Sequence, residues 1–306
     1  MQSFKSKVIN LIMRNRHLLR FKLQKETFDM NTSIDDFRAL CEKGAVSIEI
    51  LGEGIAVNQE EIAGIRSEWI SPDNAPEDKL IFYVHGGGYV SGSLNDHRRV
   101  VSMVARKSGY TCLHYEYRLA PEFPFPAALE DSLAVYRAVL EKLPSSTKIL
   151  FMGESAGGGL TLALLLAIKE RNLPTPIAAV VVSPWTDLTC SGASYITKNK
   201  RSVAPSNSWN VFSEHYVGEN DPANPLISPL FGDLSGLPPL YINAGEDDEL
   251  YDDGKQYSLK AKETGVDVTF KSGEGMVHCY PMLAPMFPEA VEALDEIMDF
   301  INKHME

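Results

Sequence analysis

A chain of 306 residues, 44% of them hydrophobic, can bury a substantial core as one large domain. Its 41 acidic against 29 basic residues leave a formal charge of -12, which works against a nucleic-acid surface, and no zinc-finger or P-loop spacing occurs. The longest apolar run, Leu160 to Ile168 with Thr161 inside it, falls well short of the ~18 residues a membrane span requires.

The first 25 residues hold Lys5, Lys7, Arg14, Arg16, Arg20, Lys22 and Lys25 and no acid, interleaved with Val8, Ile9, Leu11, Ile12, Leu18 and Leu19. Such a segment either lies on an anionic membrane surface or docks on the acidic body of its own chain. The short, interrupted apolar stripe favours docking. Asn10 and Arg14 break what would be a signal-peptide core. Cys41, Cys112, Cys190 and Cys279 match no metal or redox spacing, so we expect a cytoplasmic protein with free thiols and no metal.

After helices to about residue 43, short β-branched runs alternate with longer helical patterns, which reads as α/β architecture with a mostly parallel eight-stranded sheet. Strands are predicted at Val46–Leu51, Ile62–Ile70, Leu80–Val84, Tyr110–Tyr117, Lys148–Met152, Ala178–Val182, Leu240–Ala244 and Asp267–Lys271. Helices are predicted at His97–Lys107, Pro126–Leu143, Ala156–Arg171, Tyr251–Thr264 and Glu289–Lys303. Cys190 to about Asn224 breaks the alternation, and Trp209, Phe212 and Tyr216 there share one helical face. Insertions beyond a sheet's carboxyl edge lie near its binding crevice. Residues of about 1–43 and about 190–224 are therefore candidates for a helical cap on a core of about 44–189 and 225–306, all one domain.

The strand at Leu80–Val84 runs into His85-Gly86-Gly87-Gly88-Tyr89. Three glycines let backbone N–H groups turn inward toward an oxyanion without an obstructing Cβ, so Gly87 and Gly88 are candidate donors. A dinucleotide fingerprint fails here, because the next glycine falls at Gly92 and not at position 91. His85 reads as a structural residue of the loop.

Gly153-Glu154-Ser155-Ala156-Gly157 stands between an apolar strand and a long helix, a strand-to-helix reversal that exposes a serine hydroxyl at the turn. Ala156 N–H, after the serine, is a third candidate oxyanion donor. A serine needs a base and a group to orient that base. His278, in the glycine-marked loop after the last strand, is the candidate base. Asp248, from Gly245-Glu246-Asp247-Asp248-Glu249-Leu250, is the candidate acid, with Asp247 and Asp252 as fallbacks. The other reading of this loop is a solvated acidic turn, and a calcium site lacks the D-x-D-x-D-G spacing. Serine, acid and histidine then follow one another in the α/β-hydrolase order.

From about Leu80 to His278 the chain resembles the hormone-sensitive-lipase-like branch of α/β-hydrolase esterases. The blocks that carry this are His85–Gly88, Gly153–Gly158, Tyr117–Glu122 with Phe125–Ala128, Asp221-Pro222 with Ser228–Leu230, and Leu237–Pro239 leading to Asp248. The resemblance implies an α/β-hydrolase fold with a two-part cap, and a carboxylesterase for short to medium acyl esters that works without a cofactor. It assigns the triad acid to Asp248 of Asp248-Glu249-Leu250-Tyr251-Asp252 and allows a homodimer. The chain departs from the family at Glu154, where aspartate is usual, and at Cys279 and Tyr280, where glycine and phenylalanine are. Arg118 and Glu122 are expected to brace a turn as a pair, and Cys279 to be a small buried residue. An amidase or peptidase, or a ligand-binding protein on a hydrolase fold, are the alternative readings.

Overall fold

The computed structural model describes residues 2–19, 25–46 and 54–306. Its strands are β1 (Ile55–Ile62), β2 (Ile65–Pro72), β3 (Lys79–Val84), β4 (Thr111–Tyr115), β5 (Lys148–Glu154), β6 (Ala178–Val182), β7 (Leu240–Gly245) and β8 (Val268–Gly273). They form one sheet in the order β1-β2-β4-β3-β5-β6-β7-β8, with β1, β2 and β4 paired antiparallel and every later pairing parallel. The α-helices are α1 (Phe4–Arg14), α2 (Arg16–Leu19), α3 (Ile34–Val46), α4 (Leu94–Ser108), α5 (Ala127–Lys142), α6 (Ala156–Glu170), α7 (Ser194–Thr197), α8 (Ser208–Val217), α9 (Tyr251–Glu263) and α10 (Pro288–Met305).

Strands covered on both faces must be apolar throughout, and β6, Ala178–Val182, is buried at every position. Alternate residues of β3 divide the core: Ile81 and Tyr83 join α4 and α10 through Val101, Val104, Leu294 and Ile297. Phe82 and Val84 join α5, α6 and α9 through Leu133, Leu160, Leu164 and Tyr257 on the opposite face. Helix α6 is buried from Ala156 to Ile168, which accounts for its nearly uninterrupted apolar sequence. A capping box between Ser93 and Asp96 starts α4, and Gly109 at φ 77° ends it.

The strands predicted from Leu80 onward are present to within a few residues. The first two are not as expected. Val46 ends α3, and the remainder of the strand predicted at Val46–Leu51 lies outside the described residues. The strand predicted at Ile62–Ile70 straddles a hairpin, because Ala63 and Gly64 form a two-residue turn with φ of 51° and 81° between β1 and β2. Acidic Glu60 and Glu61 in edge strand β1 hide its alternation.

Parallel pairing brings the carboxyl ends of β3, β5, β7 and β8 to one edge of the sheet, with Val84 beside Gly153 and Gly245 beside Gly273. The three loops and the turn that hold all six candidate residues leave from that edge.

Candidate active site

Ser155 occupies the turn between β5 and α6 at φ 57°, ψ -127°, a conformation strained for any residue with a Cβ. Its side chain makes no capping hydrogen bond to α6. The turn is tight because α6 begins hard against the end of β3: a Cβ on Gly157 would lie 2.2 Å from the Val84 carbonyl oxygen and 2.3 Å from that of His85.

On the neighbouring loops, His278 Nδ1–H donates to Asp248 Oδ2 at 2.7 Å, and Asp248 is fully buried. Leu250 N–H donates to the other carboxylate oxygen at 3.2 Å. Burial works to lower the imidazole pKa, but the Asp248 charge and hydrogen bonds to Asp248 and Cys279 hold it well above the ordinary histidine value. The Trp209 ring stands edge-on to His278 with centroids 5.4 Å apart. Asp247 points elsewhere, to Arg14 at 2.7 Å, Arg201 at 3.1 Å and Lys198 at 3.8 Å. Asp252 accepts the Ser194 N–H at 2.9 Å.

In the loop after β3, Gly86 N–H donates to Glu154 Oε1 at 2.7 Å, and Gly87 and Gly88 follow it along the cavity wall. Gly88 has φ 66°, and a Cβ there would stand 2.5 Å from the Phe212 ring. Ala156 opens α6 directly after the serine. Gly86, Gly87, Gly88, Ser155 and His278 line one cavity of about 380 Å3. Arg16, Phe37 and Cys41 wall it from the N-terminal helices, and Val203, Ala204, Pro205, Trp209 and Phe212 from the segment between β6 and β7. Helix α8 is also fixed to the loop by Tyr216, which stacks on Tyr89 with centroids 3.7 Å apart.

Residues 81–282 match the family described as alpha/beta hydrolase fold. The chain belongs to the α/β-hydrolase family. Among its relatives are an acetyl-hydrolase from Streptomyces hygroscopicus, 38% identical across 77% of this chain and 79% of the relative. An esterase from Acinetobacter venetianus is 35% identical across 80% of this chain and 82% of its own. A solved esterase from the bacterial hormone-sensitive lipase family superposes with a TM-score of 0.90 at 34% identity, covering 100% of both chains. Within the family this hydrolase therefore stands with the hormone-sensitive-lipase-like carboxylic ester hydrolases.

The hydrolase also carries a charge cluster on the cavity wall beside the glycine loop, with Glu154 buried and Asp96 and His97 half-buried, that is not legible as a group in the sequence. Glu154 accepts from Gly86 N–H and from His97 Nε2 at 3.1 Å through one oxygen, and from Tyr83 OH at 2.5 Å through the other. His97 Nδ1 pairs with Asp96. Burial works to discharge His97, yet the hydrogen bonds to Asp96 and Glu154 prevail and raise its pKa to about 10. His85 behaves oppositely: burial, then the nearby His97 charge, push it down to about 4, so it is neutral. It donates through Nδ1 to the Gly86 carbonyl at 2.8 Å and stacks on Tyr117 at 4.1 Å, the structural role expected of it. Glu154 was visible in the sequence only as a departure from aspartate. Nothing there connected it to His97.

Arg118 and Glu122 do brace turns, but not as a pair. Arg118 grips Asp131, with Nη2 at 2.7 Å, while Glu122 takes a two-pronged contact from Arg38 of α3, both at 2.7 Å. Arg38 also donates to the carbonyls of Val90 and Ala120, so it ties α3 to both motif loops. Cys279 is half-buried at the cavity wall, with φ 50°.

Proposed function

We propose that this hydrolase cleaves short- to medium-chain acyl esters through an acyl-enzyme on Ser155. His278 takes the serine proton as Oγ attacks the ester carbonyl. Asp248 holds the imidazole in the tautomer that leaves Nε2 free and stabilises the imidazolium. The tetrahedral oxyanion rests on the N–H groups of Gly87, Gly88 and Ala156, each worth ~3 kcal/mol to the transition state. His278 then returns its proton to the leaving alkoxide, and water repeats the sequence to release the acid.

The observation that carries this reading is the 2.7 Å Asp248–His278 contact opening onto the same cavity as the strained turn at Ser155. A cavity of about 380 Å3 suits a small acyl group. One relative is named an acetyl-hydrolase, and a related esterase was crystallographically soaked with p-nitrophenyl butyrate. We read residues of about 1–43 and about 190–224 as the two parts of a cap on a single domain, because both contribute cavity walls. Four unpaired cysteines favour a cytoplasmic setting. Ser155→Ala is expected to lower kcat on p-nitrophenyl butyrate by ~10^4-fold or more with folding intact, and to abolish fluorophosphonate labelling. Wild-type kcat in that variant would remove Ser155 from the mechanism. A matched anilide tests the amidase reading, which requires comparable turnover of the poorer leaving group.

A further inference from the structure

Helix α1 is docked the wrong way round for a helix of a globular protein. Its polar side faces the body. Ser6 and Asn10 are buried, and Gln2, Asn10 and Arg14 all donate to the Gly275 carbonyl, at 2.7, 3.2 and 3.0 Å. Ser3 and Ser6 hydroxyls each donate to Glu289 at 2.9 Å. Ile9 and Met13 on this side add apolar packing. Phe4 (84% exposed), Val8 (39%), Leu11 (63%) and Ile12 (49%) remain in water.

At 100° per residue, Phe4, Val8, Leu11 and Ile12 form one continuous stripe. Exposed Lys5 and Lys7 flank it, one on each side. An apolar stripe bordered by lysines is the pattern of a helix lying in a lipid interface. We propose that α1 is an interfacial docking helix that seats the enzyme on an anionic lipid surface. Charge decides between lipid and a second copy of the chain. Exposed Lys5 and Lys7 border the stripe and α1 carries no acid, so a two-fold pairing of stripes would bring like charges together, whereas an anionic bilayer complements them. Helix α2 follows directly, and its Arg16 lines the cavity, so the docked face adjoins the cavity's own wall.

The test is co-sedimentation of the full chain with phosphatidylcholine vesicles, with and without about a third phosphatidylglycerol. Binding is expected only with the anionic lipid, weakening at high salt. Phe4→Ser with Leu11→Ser should reduce partitioning by ~10-fold or more per side chain, and Lys5→Glu with Lys7→Glu should abolish it. Both variants should keep wild-type kcat/KM on a soluble ester and the wild-type melting temperature, which checks their folding. Absence of binding to anionic vesicles overturns the proposal, as does binding that neither pair of substitutions weakens. A concentration-dependent dimer that Phe4→Ser with Leu11→Ser dissolves, without vesicle binding, would assign the stripe to a second copy instead.

Discussion

Asp247 and Asp248 are adjacent carboxylates with different partners, and exchanging each for asparagine separates their roles. In Asp248→Asn the buried acceptor of His278 Nδ1–H becomes an amide that can donate to Nδ1, which places the imidazole proton on Nε2 and removes the base. The expected loss in kcat is on the order of 10^4-fold. A pH profile adds a sign. Only neutral His278 can accept the serine proton, and the Asp248 charge raises its pKa, so the acid limb of kcat/KM lies above the ordinary histidine value of ~6.5. Without that charge the limb moves to lower pH while the plateau collapses. Asp247→Asn instead loses attraction to Arg14, Lys198 and Arg201, whose side chains are 21%, 28% and 63% exposed. Solvent screening of those partners limits the cost to ~1–2 kcal/mol, a few degrees in Tm, with kcat within about tenfold of wild type. Stopped-flow hydrolysis of p-nitrophenyl butyrate and thermal unfolding of both variants provide the measurements. If Asp247→Asn loses as much kcat as Asp248→Asn, the assignment of the acid is wrong.

Gly88→Ala forces a Cβ to 2.5 Å from Phe212 at a positive φ, so kcat should drop ~10^2-fold; adding Phe212→Ala should recover part of it, and no recovery would show that the ring is not the obstacle. His97, faced by Asp96 and Glu154 and flanked by His85 and His114, binds its proton more tightly folded (about 10) than unfolded (~6.5). The stability it contributes is complete below about pH 6.5 and is lost as pH rises toward 10. Wild-type Tm should therefore fall across that window and His97→Gln should flatten the dependence; a wild-type Tm already flat there would exclude an imidazolium. Glu154→Gln keeps an acceptor for Gly86 N–H but leaves His97 opposite a neutral group, so its kcat should fall several-fold with KM little changed, and an altered KM alone would contradict a role at the loop.

Local chemistry made much of this fold readable. A run such as Ala178–Val182 has no other comfortable place than the middle of a parallel sheet, and the sequence around Ser155 needs glycines where backbones nearly touch. The features that escaped are those whose partners are remote in the chain. Asp247 meets Arg14 across 233 positions, and Glu154 meets Tyr83 across 71, with nothing in the local pattern to join them. Helix α1 is a different case. Its periodicity reveals a stripe, but which side turns inward depends on what the body offers, and the Gly275 carbonyl and Glu289 offer hydrogen-bond acceptors.

Those acceptors join the cavity's walls to its reactive loops. The Gly275 carbonyl belongs to the loop that ends in His278, and Asp247 directly precedes Asp248, so Arg14 touches both loops. Arg201 and Lys198 bring the segment between β6 and β7 to the same carboxylate. Displacing α1 or that segment therefore removes ligands from the two loops that together set the 2.7 Å Asp248–His278 contact. Arg14→Ala should accordingly reduce kcat more than it raises KM, since it loosens the geometry of the base rather than the cavity wall. An Arg14→Ala enzyme with unchanged kcat and a raised KM would place the helix among the substrate-binding walls and separate it from the dyad.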